Sequence, residues 1–414
     1  LDLLGPGERG TLVEVALRDA LAVSVMYSTR GMGADVRPNL VRGLELARAL
    51  GGGDREIRLL GLLNGFLIRI GEWGEALEVA RQGMAATHLA ETGGTLRAHW
   101  MLALSHHCCG NHALAQEHCE AGLRLAARSR EEPMMHFRLP QVLLTLARTL
   151  WLRGQPHRAL AIARQVIDET SSLGHPVDKC VALLLCEPLY VWCGEWRDSE
   201  RLLDMMDEHV ERYSLTSHRG VAMALRGALL VKTGRPRAGC DLLRTAHLRL
   251  KAVGNASHDT YVASALAEGL AATGSLDEAL GAIEGAIDEA KRRGGTWDLP
   301  ELLRLKGALL ASRSPADARA VDGTLWAAIE LARRQGALSW ELRAATTLAR
   351  ERLTRGGGTD TLQELAAVYA KFTEGQETPD LQAAGSLLDT RLDAGLIASC
   401  TLSHDGEELK PPCN

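Results

Sequence analysis

Eight histidines and cysteines crowd residues 99–119: His99, His106, His107, Cys108, Cys109, His112, His118 and Cys119. Imidazole nitrogens and thiolates are zinc ligands. His99 and His106 stand two turns apart on one predicted helix and His118 falls on the next, so a site could form across the pair. The spacing matches no standard zinc signature, and adjacent Cys108 and Cys109 point different ways. Soft buried thiols and partly exposed histidines explain the cluster equally well, and no metal is assigned. Cys180, Cys186 and Cys193 share one predicted helix and read as small core residues, with a redox switch as the alternative. Ser199, Asp198 and His175 make a triad on paper, but nothing fixes the geometry that a nucleophile and its base require. No G-x-x-x-x-G-K-[ST] phosphate loop occurs. Neither a catalytic residue nor a cofactor is assigned.

What must position any site is a helical framework. A glycine recurs at Gly31, Gly71, Gly110, Gly154, Gly194, Gly234 and Gly274, close to every 40 residues, and Ser314 continues the series. Five positions later stand Ala76, Ala115, Ala159, Ser199, Gly239 and Ala279. Seven positions earlier stand Ala103, Ala147, Gly227, Ala267 and Gly307, with Asn64 and Glu187 breaking the rule. Around Gly274, Leu266, Ala267 and Leu270 form one apolar stripe. Asp277 and Glu278 then open a second helix at the positive end of its dipole. Each unit is a helical hairpin that cannot bury its apolar face alone, and stacking buries it. Such an array recognises partners along a surface more readily than it builds a reaction pocket.

The bulk properties agree. Hydrophobic residues are 46% of the 414-residue chain but aromatics only 4%, which favours helices over strands. A net charge of −5 makes this chain a poor nucleic-acid binder. No apolar run reaches membrane-spanning length. Nine cysteines, an odd number without the spacing of a small secreted scaffold, read as reduced thiols in the cytoplasm. The chain opens on Leu1, which suggests a processed or partial chain.

A small residue at −7, Gly at 0, and small residues at +5 and +12 resemble the tetratricopeptide repeat, although the period is nearer 40 than 34. HEAT and armadillo repeats have a suitable length but match less well. The resemblance implies an all-α, right-handed superhelical solenoid of about nine hairpins. Their expected spans are 8–50, 54–90, 94–128, 138–173, 176–213, 217–253, 257–293, 298–335 and 338–373. Thr378 and Pro379 resemble the start of a capping helix. Residues 1–393 are expected to form the solenoid and 394–414 a flexible tail.

Several runs are narrower. They include Gly43-Leu44-Glu45-Leu46-Ala47, Gly71-Glu72-Trp73-Gly74-Glu75-Ala76-Leu77 and Leu299-Pro300-Glu301-Leu302-Leu303-Arg304-Leu305-Lys306-Gly307. With them go Ala332-Arg333-Arg334-Gln335-Gly336, Ser339-Trp340-Glu341-Leu342-Arg343-Ala344-Ala345 and Phe372-Thr373-Glu374-Gly375. These resemble the C-terminal tetratricopeptide region of large bacterial ATP-dependent regulators, most strongly over 298–375. Such regulators join a winged-helix or nucleotide-cyclase effector to a P-loop ATPase. The resemblance implies a non-enzymatic sensor or interaction domain.

In such a superhelix the first helix of each hairpin lines the concave face. Counting back from each glycine, position −13 gives Arg18, Arg58 and Arg97, −10 gives Trp100, and −6 gives Arg148 and Glu268. Position −3 gives His107 and Trp151, and −2 gives Arg69, Cys108 and Trp192. The candidate groove is therefore Arg58, Arg69, Arg97, Trp100, His107, Arg148, Trp151 and Trp192. Arginine forks suit carboxylates and tryptophan supplies flat contact area. A peptide, a partner protein or a small anionic ligand would fit. Solvated arginines and tryptophans that merely pack between repeats are the alternative. Replacing Arg97 and Arg148 together is expected to weaken binding without lowering the melting temperature.

Overall fold

The structure is a computed structural model, and it describes residues 7–26, 33, 35–128, 139–172, 174, 176–314 and 317–389. The described helices alternate as hairpins: α1 (Glu8–Met26) with α2 (Val36–Ala49), α3 (Asp54–Ile70) with α4 (Trp73–Ala85), and α5 (Thr92–Cys108) with α6 (His112–Arg128). Then come α7 (Leu139–Leu152) with α8 (Pro156–Ser172), α9 (Pro176–Cys193) with α10 (Trp196–Arg212), and α11 (Thr216–Lys232) with α12 (Pro236–Ala252). The last three are α13 (Asp259–Ala272) with α14 (Leu276–Arg293), α15 (Leu299–Arg313) with α16 (Ala318–Gln335), and α17 (Leu338–Thr354) with α18 (Thr359–Tyr369). Residues 379–389 are helical and begin at Pro379. The expected tail at 394–414, and Gly31, lie outside the described residues.

The glycine landmarks end the first helix of their hairpins by one device. Gly71, Gly110, Gly154, Gly194, Gly234 and Gly274 all have φ between 77° and 87°. At Gly154 the N–H donates to Trp151 O, and the next N–H, from Gln155, donates to Leu150 O. These two bonds satisfy carbonyls that the helix end would otherwise orphan. Ser314 keeps a negative φ and simply caps α15. A second series, at Gly174, Ser214, Gly254, Gly294 and Gly336, ends the second helices with positive φ, and Ser214 is the one non-glycine.

The small residues mark where helices touch. Ala76, Ala115, Ala159, Ser199 and Ala279 are completely buried. The two exceptions at −7 replace close packing with a hydrogen bond across the same hairpin. Asn64 Nδ2 donates to Ala76 O and to Ser105 Oγ, both at 2.8 Å. Ser199 Oγ donates to Glu187 Oε1 at 2.6 Å, and burial pushes the Glu187 carboxyl up to about 8, so it is mostly neutral at pH 7. Ser199 is thereby a packing residue. His175 lies outside the described residues.

In an open solenoid each unit touches only its neighbours. Here the chain winds until its turns meet. Ala256 N–H donates to Arg69 O at 2.8 Å, and Thr296 and Trp297 N–H groups donate to Cys108 O at 3.1 and 3.3 Å. Thr296 Oγ1 donates to Cys109 O, and Ser339 Oγ to Trp151 O. The Trp73 ring fills the space a side chain at Gly295 would need, Leu338 and Phe372 pack on Gly154, and Pro379 packs on Gly194. The glycine turns of hairpins two to five thus abut the connections of the last four hairpins. The concave face is roofed over and becomes the wall of an axial cavity.

Candidate ligand cavity

The cavity measures about 260 Å³, and its walls come from both halves of the chain. Helices α3, α5, α7, α9 and α11 supply one side, with Leu104, Leu144 and Leu184 among the apolar contributors. The connections 253–258 and 294–298 supply the roof through Asn255, Ser257, His258 and Trp297, with Tyr261 just beyond.

Five of the eight candidate groove residues line this space: Arg69, Trp100, His107, Arg148 and Trp192. Three do not. Arg58 faces solvent and pairs with Asp19 at 2.6 Å. Arg97 is only 6% exposed, and its chain packs over Gly61. Trp151 is buried outside the cavity, its ring 4.4 Å from Trp192 and 4.9 Å from Trp340. Position −13 does reach the cavity in later hairpins, through Gln141, Val181, Val221 and Tyr261, but in the second and third hairpins Arg58 turns to Asp19 and Arg97 packs over Gly61. With Arg97 in the packing, a change at Arg97 and Arg148 together would lower stability as well as binding, contrary to the expectation.

Sequence counting missed His218, Tyr261, His258 and Trp297. The last two sit on connections that periodicity does not describe. The available signal was length: 253–258 and 294–298 are longer than 213–215 between α10 and α11.

Charge in the cavity is uneven. Arg69 Nη1 donates to Met26 O at 3.2 Å. The Arg148 guanidinium lies 4.9 Å over the Trp297 ring. It makes no ion pair or hydrogen bond among the described residues, and its buried Nε is unsatisfied. Burial draws its pKa below the ordinary arginine value, yet it stays charged. The imidazoles beside it are held neutral. Burial and then the Arg148 and Arg69 charges lower His258 to about 4. Burial, Arg69 and His258 lower His218 to about 3. Burial and Arg148 take His107 far below its usual range. Among the described residues, Asp178 is the one carboxylate on the lining. Near pH 7 the described lining therefore sets two guanidiniums against one carboxylate inside apolar walls, with the buried Asp298 acting on Arg148 from outside the lining.

Above it stands a satisfied network. Arg343 lies 5.2 Å over Trp151 and 4.9 Å over Trp340. It pairs with Asp380 at 2.7 Å and Glu301 at 3.3 Å, and Arg304 pairs with Glu301 at 2.7 Å. The two guanidiniums outweigh burial and hold Glu301 down at about 2.

The histidine and cysteine cluster divides. His99 Nδ1 lies 3.1 Å from His118 Nδ1, and His106 stacks on His118. His107 and His112 pack edge to face on the other side. Cys108, Cys180, Cys186 and Cys193 are buried, with thiols pushed up to about 12. Among the described residues, no three His, Cys, Asp or Glu side chains converge on a metal position. Nor is any described helix long and apolar enough to cross a membrane.

No model of a protein family matches the chain, and no curated protein matches it. Solved structures do. One is a Rap protein complexed with competence and sporulation factor, with a TM-score of 0.65 and 11% identity, covering 89% of this chain and 100% of that one. Another is the Rap conjugation gene regulator of plasmid pLS20 in complex with the Phr* peptide, with a TM-score of 0.52 and 12% identity, covering 91% and 98%. At such identities the likeness shows the fold, an all-helical solenoid of tetratricopeptide type.

Proposed function

We propose that this chain is a non-enzymatic sensor and interaction domain of a signalling or transcriptional regulator, working in the cytoplasm. Its ligand, a peptide, a partner segment or a small anionic compound, occupies the axial cavity. One observation carries the reading: the Arg148 guanidinium, which has no ion pair among the described residues, faces a cavity walled by both halves of the superhelix. An occupant touching both halves favours one arrangement of them over another, which is what a sensor needs. The peptide in the Rap conjugation regulator structure supports a peptide as one kind of ligand for this fold. On the resemblance of residues 298–375, the effector served is that of an ATP-dependent regulator.

A constitutive scaffold is the second reading, favoured by the extensive contacts that already close the superhelix. A panel of acidic and apolar peptides, titrated against tryptophan fluorescence and followed by solution scattering, separates the two. Binding with a changed radius of gyration supports the sensor. Tight binding with unchanged scattering supports the scaffold. Binding that survives a cavity-filling Leu144→Trp change would remove the cavity from both.

A further inference from the structure

Resting on the cavity as the ligand site, we propose that its occupant is a small amphipathic carboxylate, with the carboxylate on Arg148 and an apolar body between Trp100, Trp192 and Trp297. The guanidinium decides the head group. Its planar fork matches a carboxylate in bidentate geometry. It has no ion pair among the described residues, so a ligand anion need displace no protein carboxylate from it. The charge on offer is small. Arg69 already donates to Met26 O, and Asp178 lines the same space, so a single negative charge fits better than a phosphate dianion.

The walls decide the body. Trp100, Trp192, Trp297, Leu104, Leu144 and Leu184 present flat and branched apolar surface to the same space. Size sets the limit. At about 260 Å³ the cavity lies just under the roughly 300–1,000 Å³ usual for small-molecule sites. A free organic acid or the C-terminal end of a short peptide fits, and a long enclosed peptide does not.

Calorimetric titration of the full chain tests this with 4-phenylbutyrate, its amide, and the tripeptide Ala-Leu-Phe with a free or an amidated C-terminus. The acid should bind about ten- to a hundredfold more tightly than the amide, the value of a charge-assisted hydrogen bond. Arg148→Met should erase that preference while the melting temperature holds or rises, and Arg148→Lys should keep part of it. A free acid source predicts that phenylbutyrate outbinds the free tripeptide, and a peptide source predicts the reverse. Equal affinity for acid and amide, undiminished acid binding in R148M, or no binding by either free carboxylate overturns the proposal. Carboxylate binding without a scattering change would leave the assignment standing and remove the sensor reading. A peptide that binds and changes the scattering independently of Arg148 would do the opposite.

Discussion

Arg148 and Arg343 rest on the same tryptophan cluster and have opposite surroundings. Arg343 lies over Trp151 and Trp340 and is held by Asp380 and Glu301. Arg148 lies over Trp297 and, among the described residues, has no carboxylate within ion-pair distance, the buried Asp298 acting on it only from farther off. The aromatic platform is common to both, so the difference resides in the anions. Where the chain supplies them, the arginine belongs to the architecture. Where it does not, the charge is open to a ligand.

Removing each charge breaks the comparison most directly. Arg343→Met strips Asp380 of its guanidinium and Glu301 of one of two, and should cost about 3 kcal/mol, read from the urea midpoint. Arg148→Met removes a charge that has no ion pair among the described residues and only the more distant Asp298 to balance it, and should be neutral or stabilise by up to about 1 kcal/mol. Equal losses in both variants would make Arg148 structural. Next in size is a change to the platform itself. Gly154 has φ +80°, and a methyl there would stand 2.7 Å from Leu338 Cδ2 and 3.0 Å from Phe372 Cε1. Gly154→Ala should cost about 2–4 kcal/mol, from backbone strain plus overpacking, and move Trp151 away from Trp340. Gly234 has the same backbone and open space, so Gly234→Ala should cost only about 1–2 kcal/mol of strain. Similar melting temperatures for the two would mean the turns do not press together in solution.

Acid separates the two regions more gently. Glu301 titrates near 2 when folded and near 4.5 when unfolded, so its contribution is complete above 4.5 and is lost as pH falls toward 2. His258 titrates near 4 when folded and 6.5 when unfolded, so the unfolded chain takes up that proton first. Its part of the stability therefore falls as pH drops from 6.5 to about 4. Without the Arg148 charge the folded pKa values of His258, His107 and Asp298 all rise, so R148M should soften the upper window in melting curves recorded against pH. An unchanged slope between pH 6.5 and 4 would separate these groups from Arg148.

The repeat was legible because its signals are local. A left-handed glycine, a small residue at the helix contact and an apolar stripe each act within one hairpin, and the expected hairpins match α1 to α18. The same counting reached Arg69, Trp100, His107, Arg148 and Trp192. It could not see that Trp297 and His258 close the other side. Closure depends on the pitch summed over several hairpins, and no residue encodes that alone. Arg58 and Arg97 show the converse: they share the register of the lining residues Gln141, Val181 and Val221, but one pairs with Asp19 and the other packs over Gly61.

The contact between Ser339 and the Trp151 carbonyl spans 188 residues of chain. A ribosome adding roughly 5–20 residues per second needs about 10–40 seconds to cover that interval. Through that time the N-terminal hairpins stand with their tryptophans and the Arg148 side chain uncovered, and the last hairpins must arrive before the wall is sealed. The nascent protein thus passes through a half-built stage whose sticky inner surface is the one that lines the cavity of the finished molecule.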